Sequence, residues 1–407
     1  MIKYFHFEYF YILIVLIWVP FQKLILKVDG AANTIIILTI LLLSIQLKKK
    51  TFYKTAFKGP LLVYSIWFVY AFSNTLVKGY YFDVPILTLF ITIFVPLILM
   101  VTISIEFVKN EKKLLNVVII GMYIAVVLIL MFIGETNKGR AGGDLNSNTI
   151  GTTATLLTML LYLKFYKKSL KLLSFLLLAI IPIYTIISSG SRTAFGGIIF
   201  LLIVHFIVNR SKNILITILK VSVGLILFIV PFYYVLDSTV LGDRLINTAE
   251  QSEGMDYQTG NPILDQFGDR GIFYYQGWIV FKEHPITGVG LGNFINYNEL
   301  ELAQHSEYMI QLSELGIIGF ILFFLFYFKI FKKLKKIKKN SLDKSKKRQV
   351  ELYTSYMLII LLMITATRMY RVWFLFVVVG IVIGYINKNK LKPLNNNKEI
   401  SNSKTNG

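Results

Sequence analysis

Residues 84–105 read VPILTLFITIFVPLILMVTISI and hold no charged side chain. At about 1.5 Å of rise per residue, a helix of this length crosses the roughly 30 Å hydrocarbon core of a bilayer. A helix that is apolar on every face must be surrounded on every face, and lipid does that directly. Working outward from this stretch, similar runs recur at 8–26, 31–47, 60–77, 114–133, 147–163, 169–189, 192–208, 213–236, 307–328, 350–367 and 372–386. Together they predict an all-α, polytopic integral membrane protein with about twelve transmembrane helices and both termini on one side. Composition agrees, with 55% hydrophobic and 16% charged residues, against about 25% charged in soluble domains.

The formal charge of +21 could suggest nucleic acid, but its placement argues against it. With the N-terminus inside, the segments 1–7, 48–59, 106–113, 164–168, 209–212, 329–349 and 387–407 are cytoplasmic. That inner side, with Lys171 at the edge of its span, holds 31 lysines and arginines and the outer side 11, with Lys220 inside a span. This is the positive-inside asymmetry. The lysine run from Lys332 to Lys339 reads as contact with anionic lipid heads. There is no cysteine, so disulfides and thiolate metal sites are excluded,. The first apolar run leads into further spans, so no cleavable signal is expected. No internal repeat is evident, which disfavours transporters built on paired repeats.

The organisation expected is a membrane domain over 1–236, a large extracytoplasmic loop over 237–306, the last three helices over 307–386 and a cytoplasmic, disordered tail over 387–407. The loop is rich in Gly, Asn, Asp and aromatic residues, which points to a folded segment rather than a linker.

The chain has 8 arginines and 35 lysines, and six arginines fall on the expected outer side: Arg140, Arg192, Arg244, Arg270, Arg368 and Arg371. Topology gives no reason to prefer arginine there. A guanidinium donates bidentately to phosphate oxygens and keeps its charge in a dry site, so the set points to a phosphate-bearing anion at the outer boundary. The plainer reading is that these arginines pair with Asp144, Asp243, Asp269 and lipid heads.

Four motifs carry the remaining signal. Ser188-Ser189-Gly190-Ser191-Arg192-Thr193-Ala194 lies between two spans. Ser191 can cap the next helix, and Arg192 then lies at its positive end, where an anion is favoured; a snorkelling arginine is the alternative. In Gly268 to Phe281, Arg270, Tyr274, Trp278 and Phe281 recur at helical spacing. That face suits a sugar-phosphate, or else packs aromatics on the membrane domain. Pro285 to Phe294 contains Gly288, Gly290 and Gly292; it lacks the strand and spacing of a phosphate loop and reads as a tight turn. His305 precedes Glu307, Gln311 and Glu314, a polar stripe on an apolar helix. Ionisable groups there normally face the bundle interior, and a histidine at the mouth can exchange a proton, though a lone histidine is usually structural.

Taken together, the chain resembles the O-antigen ligase/polymerase superfamily (the Wzy and WaaL type). The resemblance rests on Ser189 to Arg192, on Arg270 with Trp278, on Pro285 to Phe294, and on His305 with Glu314 to Gly319. It extends to the large outer loop between the ninth and tenth spans. It implies a metal-independent, inverting glycosyltransferase of the bacterial cytoplasmic membrane, with its active site on the outer face and no cofactor. The donor would be an undecaprenyl-pyrophosphate-linked oligosaccharide and the acceptor a glycan. Other polysaccharide assembly proteins are candidate partners. Arg192 and Arg270 would hold the pyrophosphate, and His305 would serve the acceptor hydroxyl or the leaving group. Arg140, Arg244, Tyr274, Trp278, Glu307, Gln311 and Glu314 are candidate substrate contacts. The first outer loop holds only Asp29, not the acidic pair that would hold a divalent ion, which fits this independently,.

A polysaccharide polymerase for capsule, exopolysaccharide or O-antigen is the preferred reading. A ligase passing finished glycan to a surface acceptor shares the architecture. A lipid-linked oligosaccharide flippase should instead place charge through both leaflets, and a scaffold would need none of the arginines.

Overall fold

In the computed structural model, the described residues are 7–21, 49–79, 86–131, 146–208, 269–298, 304–367 and 372–391, with positions 215, 233, 239, 241 and 242. Among them the secondary structure is helical, with no strand. The helices are α1 (Phe7–Phe21), α2 (Lys49–Ala56), α3 (Pro60–Val77), α4 (Ile86–Met131), α5 (Ser147–Tyr166), α6 (Leu172–Ser189), α7 (Arg192–Val208), α8 (Asp269–Glu283), α9 (Glu307–Ser313), α10 (Gly316–Asn340), α11 (Lys344–Met363) and α12 (Trp373–Leu391). The expected spans at 31–47 and 213–236, the loop before Asp269 and the tail after Leu391 lie outside the described residues, single positions apart.

Among the described residues, three stretches can cross a membrane by length and composition: Pro60–Val77, Ile93–Met131 and Leu172–Ser189. Shorter apolar helices cover Tyr9–Trp18, Arg192–Phe206 and Trp373–Asn389. The structure therefore supports an integral, all-helical membrane protein and leaves the count of twelve unconfirmed. The surface agrees. Along α6, Leu173, Leu176, Leu177, Ile180 and Tyr184 are all exposed, an apolar stripe that water does not tolerate over such a length.

Two expectations change. The sequence suggests a loop over 106–113; helix runs through it instead, broken at one residue. Asn110 takes φ −149°, ψ 84°, and its Oδ1 accepts from Lys113 N at 3.0 Å, so it caps the second half of α4. The expected tenth span is divided. α9 ends at Ser313 and α10 begins at Gly316, whose φ is +65°. α10 then continues to Asn340, so the lysine run is helical rather than a loop.

The core centres on α12 against α4. From Val372 to Ile386 nearly every side chain of α12 is buried. Gly380 and Gly384 stand at i, i+4, and added Cβ atoms would meet Ile103 Cβ at 2.9 Å and Phe107 Cβ at 2.6 Å. This is a small-xxx-small contact, which lets apolar helices pack closely where lipid offers no hydrophobic drive.

Candidate functional site

The site is built around the C-terminal end of α11. A helix end leaves carbonyls without intrahelical partners. Here three separate segments donate to three consecutive carbonyls. Glu307 N donates to Ile364 O at 3.0 Å. Tyr274 Oη donates to Thr365 O at 2.9 Å. Asn148 Nδ2 donates to Ala366 O at 2.9 Å. One helix end thus gathers α9, α8 and α5.

The Arg192 motif joins through Asn148. α6 ends at Gly190 in the left-handed conformation, φ +62°, ψ 21°, a common helix stop. Ser191 Oγ then donates to Asn148 Oδ1 at 3.0 Å and lies 3.4 Å from Ala194 N as an acceptor. The expected cap on α7 is present, with a second task. Gly151 makes the approach possible, since a Cβ there would lie 2.7 Å from those of Ser191 and Ala194. Arg192, partly buried, is the first residue of α7. The arginine-bearing starts of α7 and α8 are therefore tied to adjacent carbonyls of one helix end.

His305 joins through α8. Gln304 Nε2 donates to Phe273 O at 2.9 Å, while its Oε1 accepts from His305 N at 2.9 Å and Ser306 N at 3.2 Å. Gly277 leaves room for this side chain, since a Cβ there would come within 2.7 Å of Gln304 Nε2. The exposed His305 ring stands edge-on to Phe273 at 5.0 Å. Among the described residues, the Ser306 and Thr367 hydroxyls beside this junction are buried without a hydrogen-bond partner, atoms of the kind that a polar ligand satisfies.

The polar stripe turns inward. Gln311 Nε2 donates to Glu307 Oε1 at 2.7 Å, and Gln311 Oε1 accepts from Trp67 Nε1 at 2.8 Å. Both ends of the Gln311 amide are thus engaged within the protein. Glu314 Oε2 accepts from Gly292 N at 2.7 Å. All three side chains are buried.

The glycine segment is the tight turn expected, and it clamps the α9–α10 break. Val289 N donates to Ser313 O at 3.1 Å, Gly290 N to Glu314 O at 2.8 Å and Ile317 N to Pro285 O at 2.9 Å. α3 holds its other side: Asn74 Nδ2 donates to Thr287 O and Thr75 Oγ1 accepts from Leu291 N, both at 2.8 Å.

Of the expected site residues, Tyr274 and Glu307 bond the end of α11 directly, while the Arg192 and His305 segments are tied to it through Ser191 with Asn148 and through Gln304. Arg270 begins α8 one turn before Tyr274. Trp278 lies further along α8, 46% exposed, with Lys282 Nζ 5.9 Å over its ring. Gln311 and Glu314 lie deeper. Arg140 and Arg244 lie outside the described residues. Sequence reasoning missed Asn148, Gln304 and Trp67. Asn148 left a signal, as the second of two asparagines opening a span.

These features define a class: a helical membrane protein whose arginine and histidine motifs are assembled at one end of its bundle. Residues 173–324 match the family model described as O-antigen ligase (Wzy_C). The match supports a likeness to the O-antigen ligase/polymerase superfamily, whose members transfer glycans. The matched segment contains Arg192, Arg270, His305 and Glu314. No match is found among curated proteins.

Proposed function

We propose that the protein is a polysaccharide polymerase that extends a glycan from undecaprenyl-pyrophosphate-linked repeat units on the outer face of the bacterial cytoplasmic membrane. The observation that carries this reading is the joining of the Arg192, Arg270 and His305 segments at one helix end, within an O-antigen ligase domain. The acceptor hydroxyl attacks the anomeric carbon. A new glycosidic C–O bond forms with inversion as the anomeric carbon's bond to the pyrophosphate oxygen breaks. His305 takes the hydroxyl proton, and undecaprenyl pyrophosphate leaves with the electron pair. Arg192, at the positive end of α7, and Arg270 neutralise the charge that develops on the leaving group. On the twelve-span topology expected from the sequence, with both termini inside, this end faces outward.

The family description favours a second reading, transfer of finished glycan to a surface acceptor. Glycan length profiles after deletion of the gene decide between them. Carrier-bound single repeats identify a polymerase, and full-length chains stranded on the carrier identify a ligase. We propose further that the reaction is metal-independent, since the chain has no cysteine and its first outer loop holds only Asp29 rather than an acidic pair. Purified protein in EDTA should keep extending carrier-linked glycan; abolition by chelator with rescue by a divalent ion would overturn this part.

A further inference from the structure

A second polar centre lies at the other end of the bundle. α5 has 20 residues, so its ends stand about 30 Å apart. Asn148 is at one end; Lys164 and Lys167 are at the other. There the break in α4, the end of α5 and the end of α12 enclose a pocket of about 410 Å³. Five lysines line it (Lys109, Lys112, Lys164, Lys167 and Lys388), with Glu111 among them.

The carboxylates do not balance these charges. Each Glu111 oxygen holds one lysine: Oε1 pairs with Lys167 and Oε2 lies 2.9 Å from Lys388 Nζ. Glu106, just outside the pocket, lies 3.5 Å from Lys109 Nζ. Two acids against five lysines leave a formal excess of three positive charges. The like charges are held close. Lys167 and Lys388 both stand over the Phe107 ring, at 5.7 and 5.9 Å, and Lys164 Nζ is held by Asn116 Oδ1 at 2.7 Å. Burial, and then the neighbouring Lys388 charge, lower the Lys167 ammonium from the ordinary lysine range to about 7. A structural role does not call for such crowding, since lysines free to extend into solvent would separate. A bound polyanion offsets it.

We infer that this pocket binds a phosphate-bearing group of at least two negative charges. Basic pockets between helices at the end bearing the inner-side positive charge take anionic headgroups, and a soluble diphosphate carries the same chemistry. The inference is independent of the glycan-transfer reading.

The test uses the full-length protein in phosphatidylcholine nanodiscs at 0.1 M salt. One arm titrates labelled inorganic pyrophosphate. The other replaces part of the lipid with cardiolipin and follows the melting temperature. Saturable pyrophosphate binding identifies a soluble ligand; stabilisation by cardiolipin alone identifies a lipid. In either case the double variant Lys109→Gln/Lys112→Gln should weaken the effect by about fivefold per lysine. The charge-matched Lys50→Gln/Lys54→Gln, on exposed positions of α2 outside the Lys332–Lys339 run, should leave it unchanged. Pyrophosphate held by Arg192 and Arg270 would be blind to both variants. Binding in neither arm, or equal response to the two double variants, overturns the inference.

Discussion

Arginine and lysine carry the same charge, so exchanging them separates a fork from a field. If Arg192 and Arg270 each hold pyrophosphate bidentately, Arg→Lys should cost about tenfold to a hundredfold in turnover, and Arg→Ala more. Polymerisation at normal rates by both folded lysine variants would make these residues interfacial anchors. His305 is tested by an amide. Glutamine donates a hydrogen bond but does not shuttle a proton, so His305→Gln should lose the hundredfold to ten-thousandfold that a general base contributes, while still binding carrier-linked substrate. A well-folded His305→Gln variant with near-normal turnover excludes the base role. At this scale the sequence was legible where side-chain chemistry is unusual for its place. The Arg192, Arg270 and His305 motifs stood out, and the structure ties their segments to one helix end. Asn148 and Gln304 did not, because their role is to hold backbone carbonyls and amides that come from distant parts of the chain.

Helix boundaries were legible wherever a cap or glycine marked them. Pro60–Val77, and the α6–α7 joint at Gly190, fall where the apolar runs place them. The division of the tenth span was not, because Gly316 opens a long apolar run and only tertiary contact reveals the break. Gly288 has φ +66°, and a Cβ on it would lie 2.4 Å from Glu314 C. Gly316 has φ +65°, and a Cβ on it would lie 2.3 Å from Ile286 O. The two glycines interlock across backbone that cannot yield. Either Gly→Ala change should therefore destabilise by more than about 2 kcal/mol, from left-handed strain plus the clash. The melting temperature in detergent reads this directly. Gly196 is the matched control, because a Cβ added there would meet nothing within 4 Å. Its alanine variant should melt within a few degrees of the parent.

For the molecule as a whole, the 31-to-11 charge asymmetry predicts which end faces the cytoplasm. The chain has no cysteine, so single cysteines at Asn340 and Asn261 give clean reports to an impermeant reagent. Position 261 should label in intact cells and position 340 only after lysis; the reverse pattern would invert the orientation. What composition and charge could not convey is how distant segments share one anchor. That anchor has a consequence for the order of synthesis. The carbonyls of Ile364, Thr365 and Ala366 emerge from the ribosome after Asn148, Arg192, Arg270, Tyr274, His305 and Glu307 have all been made. Every residue proposed for the chemistry therefore waits, already translated, for a helix that contributes no side chain to it. A chain arrested before residue 364 would hold every residue proposed for the chemistry and still lack the scaffold that assembles them, so on this reading the nascent protein is inert until that helix end has been made.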